Sequence, residues 1–296
     1  MWIYHVIAIL TVAIWGSTFI STKVLYDYNL SPAQVFTIRY IIAYVLMLLF
    51  SHKHIFAKSV KDELMMVALG LTGGSIFFVA QNIAINLSTT MNVSLIVCSC
   101  PLFTMLLYRL VYRNTRLSKM QIIGTILAFV GMAAVVMNGQ MVLNLLPLGD
   151  SIAVFACVCW AIYSVLLKKA NEKYSSAFIT RKVFFYGLLT VLPYYAVVPG
   201  FPSMSTLLQP VVLYNFLFLG CIASMLCFLS WTWVITKLGV IRVSNYGYAN
   251  PITTVVLAVW ILGEKITPFF VVGTAFILLG LFLSNKNPVK ILNKVE

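Results

Sequence analysis

The chain has 296 residues, of which 61% are hydrophobic and only 9% charged. Soluble domains carry nearer about 25% charged residues, so this composition excludes a soluble globular protein and indicates a polytopic membrane protein. The formal net charge of +13 comes from basic residues scattered through short loops, which fits anchoring by the positive-inside rule rather than nucleic-acid binding.

A crossing of the hydrocarbon needs about 20 apolar residues, and the sequence supplies ten such runs: 2–25, 32–51, 64–86, 90–108, 121–138, 149–168, 176–198, 211–236, 240–262 and 267–285. The first run has no basic leader or small-residue cleavage site and is expected to be retained as a span. Lys53, Lys58 and Lys61, then Arg109, Arg113, Arg116 and Lys119, then Lys168, Lys169 and Lys173, then Lys237 and Arg242 fall on one side. The tail lysines 286, 290 and 294 join them, and the other side has little beyond Lys23 and Lys265. Both termini are therefore expected in the cytoplasm of a multi-pass cell-membrane protein, such as one of the bacterial inner membrane.

Metal and redox chemistry find little support. Cys98, Cys100, Cys157, Cys159, Cys221 and Cys227 all lie in apolar runs. The two Cys-x-Cys pairs point roughly 200° apart on a helix, so neither pair converges on one ion, and no cofactor or metal is expected. His5, His52 and His54 sit near the N-terminus or in a loop.

Two spans carry a proline at mid-length, in Ser94–Leu95–Ile96–Val97–Cys98–Ser99–Cys100–Pro101 and in Ser244–Asn245–Tyr246–Gly247–Tyr248–Ala249–Asn250–Pro251. Pro101 and Pro251 mark helix kinks, each freeing the carbonyl four residues back, those of Val97 and Gly247. The echo extends further. Trp15 and Trp160 are each followed eight residues later by Lys23 and Lys168; Gly124 and Gly131 recur as Gly273 and Gly280; Gly70 answers Gly220. The common offset of about 145 to 150 residues describes a duplication of five spans. Five is odd, so the second copy is inverted in the membrane, an arrangement typical of secondary transporters. The expected fold is an all-α membrane protein of ten transmembrane helices, with repeats over 1–140 and 148–286 and a cytoplasmic tail at 287–296.

Trp15, Trp160, Pro101 and Pro251 all fall near mid-span, where transporter sites lie. Trp15, Trp160, Tyr163, Ser94, Asn245 and Tyr248 are the candidate substrate-binding residues, and Ser244, Gly247, Tyr248 and Pro251 share one face of a regular helix. Gln81 and Trp231, at matching places, are candidates for the outer and inner vestibules. Arg39 is the only arginine deep in a span, which makes it a candidate for substrate contact or gating. Ser17 and Thr18 read as interhelical hydrogen bonds, and Arg181 and Lys182 as anchors that snorkel to the interface. The glycine pairs allow close helix packing, inside the bundle or across a homo-oligomer interface.

Mid-span Trp15 opening ten spans in two halves, and Asn250–Pro251 followed by Gly263–Glu264–Lys265, resemble the EamA-type proteins of the drug/metabolite transporter superfamily over nearly the whole chain. The resemblance implies export or exchange of small metabolites, often amino acids, by alternating access around a central cavity. The first copy departs from the pattern, since Arg113–Asn114–Thr115–Arg116 stands where Gly263–Glu264–Lys265 stands in the second.

The expected function is secondary transport, by uniport or exchange and toward export, of a small organic metabolite such as an apolar or aromatic amino acid. The alternative is a membrane-embedded lipid or isoprenoid enzyme. That chemistry wants clustered acids or a nucleophile with its base, whereas Asp27, Asp62, Glu63, Asp150, Glu172, Glu264 and Glu296 are dispersed at loops and span ends. The same dispersion argues against proton coupling through a deep carboxylate. A sodium site built from the Val97 and Gly247 carbonyls stays open.

Overall fold

A computed structural model of the chain describes residues 2–52, 54–88, 90–113, 115–137, 146–196, 200–262, 267–286 and 290–291. The Gly263–Glu264–Lys265 motif, most of the tail after 286 and the side chain of Ser94 lie outside what it describes. The protein is a nearly all-helical bundle. Among the described residues the β pairing is one antiparallel bridge of two residues a side, Thr115–Arg116 (β1) with Lys290–Ile291 (β2).

Seven described helices are long and apolar enough to cross a membrane. The helix α1 spans Trp2–Asp27 and turns through Asn29, at φ 57°, into α2 (Pro32–Phe50). Ser31 caps α2 reciprocally with Gln34, and Pro32 occupies the first turn, where a missing amide costs nothing. Helix α3 (Val60–Gly70) runs through a π-helical turn at Leu71–Ser75 into α4 (Ile76–Leu87). Helices α5 (Thr90–Cys98) and α6 (Cys100–Val111) are separated by a break at Ser99. They are followed by α7 (Lys119–Met137), α8 (Pro147–Asn171) and α9 (Ser176–Val191). After the single turn α10 (Met204–Leu207), α11 (Pro210–Leu217) passes through a second π-helical stretch, Phe218–Leu226, into α12 (Cys227–Leu238). Gly239, at φ 83°, turns the chain into α13 (Val240–Asn245). A 3₁₀ turn at Tyr246–Ala249 joins α13 to α14 (Asn250–Leu262), and α15 (Pro268–Lys286) closes the described bundle.

The glycines seat helices on one another within the chain. A Cβ on Gly124 would lie 2.5 Å from the Gly280 carbonyl, and one on Gly131 would lie 2.5 Å from that of Gly273. The Gly-x₆-Gly pairs therefore serve the α7–α15 contact inside the bundle. Gly70 lets α3 approach the backbone of α9 at Tyr186–Gly187, and Gly187 makes room on α9 for the Tyr40 ring of α2.

Two expectations about basic residues are corrected. Arg181 and Lys182 do not snorkel; both are buried at 3% exposure. Arg181 donates to the carbonyls of Ser51, His54 and Ile55, capping the α2–α3 connection. Lys182 pairs with Glu63, which also accepts from Tyr186. Beside them Lys173 reaches Asp62 at 2.8 Å, and that carboxylate holds the exposed Lys173 ammonium above its usual range. An aliphatic stem too deep to reach water makes a buried partner the better solution for Lys182.

Candidate functional site

Trp15 lies near the middle of the 26 residues of α1, and Trp160 near the middle of the 25 of α8. Their rings meet edge to face, with centroids 6.0 Å apart and planes at 81°. Trp231 joins Trp15 at 5.0 Å, Phe228 joins it at 5.7 Å, and Phe77 joins Trp160 at 5.0 Å. Edge-to-face contacts are each worth about 0.5–1.5 kcal/mol beyond area burial, so these rings form a mutually braced wall. The wall bounds a cavity of about 310 Å³, at the small end of the roughly 300–1,000 Å³ typical of small-molecule sites.

The α1 residues on the cavity, Trp15, Thr18, Thr22 and Tyr26, form one helical stripe about 16 Å long. Tyr26 is 40% exposed, so the cavity reaches the surface beside the α1–α2 turn. The other end of the bundle carries a polar network. There His5 Nδ1 lies 2.5 Å from the Tyr246 hydroxyl, which accepts from Asn285, while Arg242 donates to the Asn285 carbonyl. At the same end the Lys168 ammonium sits 3.7 Å from the Tyr112 ring centroid.

The π-helical stretch before α12 organises one wall. Its turns bond to the fifth rather than the fourth residue on, and Trp15 Nε1 donates to the Ala223 carbonyl within it at 2.9 Å. One residue on, the Ser224 hydroxyl accepts from Arg39 Nε at 2.8 Å. Arg39 is 7% exposed, lies over the Phe78 ring at 5.6 Å and lines the cavity. The ion pairs found among the described residues are Lys173–Asp62 and Lys182–Glu63, so Arg39 brings its positive charge to the cavity without a carboxylate in that set.

The 3₁₀ turn sets the opposite wall. At three residues per turn, positions i, i+3 and i+6 eclipse, and Ser244, Gly247 and Asn250 all line the cavity. This replaces the regular-helix face expected from the sequence. Tyr248 turns away, fully buried beside Phe129 of α7. The turn also pairs the Gly247 carbonyl with the Asn250 amide, a partner that the proline alone does not suggest.

The structure thus gathers Trp15, Trp160, Gln81, Trp231, Arg39 and Pro101 on one cavity; Gln81 and Trp231 share it rather than lining separate vestibules. Tyr163 is buried behind Trp160, at 5.2 Å between ring centroids, and packs on Gly73. Asn245 points the other way, donating to Thr125 and Ser284 at 2.9 and 2.5 Å. Pro251 is buried in the first turn of α14, outside the lining. Ser17 and Thr18 bond back to the Ile14 and Trp15 carbonyls of their own helix rather than to a neighbour.

Sequence reasoning missed Phe78, Phe228 and Asn250. The signal was present, because lining residues pair at a spacing of 150: Phe78 with Phe228, Gln81 with Trp231, Val97 with Gly247, and Cys100 with Asn250. Arg39 has no such counterpart. Ser31 and Ser175 both cap helices, and the spacing between them carries position 39 to Val183.

A second recess, of about 370 Å³, lies among α4, α8 and α9. Its walls are apolar, and its hydroxyls Ser75 and Thr190 bond to each other at 2.6 Å, so it presents no charged or unpaired polar group.

The model of the EamA-like transporter family matches residues 2–137 and 147–286. An "Uncharacterized transporter" of Archaeoglobus fulgidus is 25% identical over 95% of this chain and 96% of its own. A "Probable amino-acid metabolite efflux pump" of Escherichia coli is 22% identical over 94% and 93% of the two chains. A "Probable terminal-alkyne amino-acid exporter" of Streptantibioticus cattleyicolor is 26% identical over 94% and 92%. A solved structure titled "Crystal structure of protein" shares the fold, with a TM-score of 0.77 at 16% identity, covering 95% of this chain and 96% of that one.

Proposed function

This chain belongs to the EamA-like transporter family, and on that premise we propose that it is a secondary transporter, a uniporter or exchanger working toward export. Its solute is a small amphipathic metabolite, such as an apolar or aromatic amino acid, moved by alternating access through the Trp15–Trp160 cavity. The observation that carries this reading is the cavity itself: a tryptophan from the middle of α1 and one from the middle of α8 meet across it, with an aromatic wall and one buried cation. A sugar phosphate would call for several converging basic side chains, whereas Arg39 is the one basic side chain among the described residues that line this cavity.

The architecture we propose is ten transmembrane helices in two inverted five-helix repeats, 1–140 and 148–286, in the cell membrane with both termini cytoplasmic. Supporting it are π-helical turns at Leu71–Ser75 and Phe218–Leu226, breaks at Ser99 and Tyr246–Ala249, and reciprocal glycines on α7 and α15. The 150-residue pairing of the lining supports it as well. With the basic loops inside, the cavity opens outward, and the His5–Tyr246–Asn285 network seals the cytoplasmic end. The names of the E. coli and Streptantibioticus relatives point to amino-acid-like cargo.

The test is a metabolite screen on cells with and without the protein. Expression should lower the intracellular level, and raise the external level, of one or more apolar or aromatic amino acids. Unchanged profiles across amphipathic metabolites would overturn the reading.

A further inference from the structure

Arg39 is a buried cation that no described carboxylate neutralises. Its Nε donates to Ser224 Oγ at 2.8 Å, and the ionisable groups nearest its charge are Tyr40, Cys227 and Tyr26. The acids among the described residues are committed elsewhere or lie at helix ends. Asp62 and Glu63 pair with Lys173 and Lys182, Asp150 accepts from Ser88, and Asp27 and Glu172 stand at the ends of α1 and α8. The two Nη nitrogens of Arg39 bond to no described residue, and neither is among the fully enclosed polar atoms of the bundle. The guanidinium therefore keeps its terminal nitrogens for a ligand in the cavity that it lines. Position 39 falls on Val183 in the other half, so the repeat brings no second cation.

Water entering beside Tyr26 can hydrate this charge while the cavity is open. Alternating access passes through a form shut from both sides, and there that water is lost. Taking an ion out of water is costly unless a well-placed partner of opposite charge comes with it. One carboxylate meets the need, because it pairs with a guanidinium through two parallel hydrogen bonds. A neutral solute does not meet it, and neither does an empty cavity.

We propose that the unneutralised charge of Arg39 makes the protein a strict exchanger. The cavity passes from one side of the membrane to the other only with a carboxylate on Arg39, so one amphipathic monocarboxylate leaves as another enters. The empty carrier does not return. This rests on the transport reading and chooses between its two modes, exchange and uniport.

The test is efflux of labelled N-acetylphenylalanine, an aromatic monocarboxylate without an ammonium, from proteoliposomes holding the full chain. Equal potassium with valinomycin clamps the membrane potential, and leakage from protein-free vesicles is subtracted. The outer solution is buffer, unlabelled N-acetylphenylalanine, or N-acetylphenylalaninamide, its uncharged isostere. Efflux should be at least tenfold faster into the carboxylate than into buffer or the amide. Arg39→Gln should bring that ratio to within twofold, while Arg39→Lys, which keeps the charge without the bidentate fork, should retain it. Where Arg39→Gln does not fold, the comparison of carboxylate with amide in the wild-type protein still decides. Wild-type efflux into buffer or amide within twofold of that into the carboxylate would overturn the proposal and leave the transport reading standing. A ratio kept in Arg39→Gln or lost in Arg39→Lys would overturn it as well. So would the absence of protein-dependent efflux in every arm, with the cell-based export screen deciding the transport reading separately.

Discussion

Asn245 and Lys182 are the residues where sequence position suggests one role and local bonding another. Asn245 ties α13 to α7 and α15 through Thr125 and Ser284. Asn245→Leu leaves two buried hydroxyls without their donor, a loss of about 1–3 kcal/mol. The expected outcome is a lower thermal midpoint in detergent, with solute affinity of the folded fraction unchanged within about twofold. A large affinity loss without a stability loss would return Asn245 to the substrate path. Lys182→Met strands Glu63 and should cost more, since breaking one side of a buried pair costs about 3–5 kcal/mol. Adding Glu63→Gln should recover part of that loss, and failure to recover any would show that the pair is not coupled.

At the scale of elements, the α7–α15 seam is the contact least able to absorb change, because backbone meets backbone at both glycine levels. Gly131→Leu should destabilise by more than the about 1–3 kcal/mol of ordinary overpacking and reduce the folded protein recovered from membranes. Gly200, with no atom near a Cβ built on it, should tolerate alanine in the same assay. These helices were legible in the sequence because each is a long apolar run, and the observed limits follow those runs closely, as with 240–262 for α13 through α14. The π-helical turns were not legible, since shifting from i+4 to i+5 bonding leaves hydrophobicity unchanged. The 3₁₀ turn at Tyr246–Ala249 had its warning in Gly247 and Pro251, yet it changed which residues face inward. That is why Asn250 replaced Tyr248 on the cavity. Trp15 and Trp160 were readable as mid-span tryptophans, whereas the partners Ala223 and Ser224 depend on interhelical packing that a single sequence does not encode.

For the whole molecule, the proposed repeat of five crossings, being odd, would fix the sides of the membrane on which loops fall. A reporter fused in the 138–145 connection should score outside and one fused at residue 296 should score inside; the same side for both would contradict the inverted repeat. The expectation for energy coupling follows from the charges on the proposed transport path. Among the described residues the cavity lining holds Arg39 and no Asp, Glu or His. With solute equal on both sides of proteoliposomes, a proton or sodium gradient should drive no net accumulation, and accumulation that collapses with the gradient would contradict a uniporter or exchanger.

Alternating access through the aromatic cavity is tested most directly by counterflow of a labelled aromatic amino acid in proteoliposomes. Wild-type protein is compared with Trp15→Ala and Trp160→Ala at matched amounts of folded, inserted protein. Removing either ring opens the wall where the two tryptophans meet, at 6.0 Å between centroids, and exchange should fall at least tenfold in Trp160→Ala and severalfold in Trp15→Ala. Counterflow at the wild-type rate in both variants would place the transport path elsewhere in the bundle.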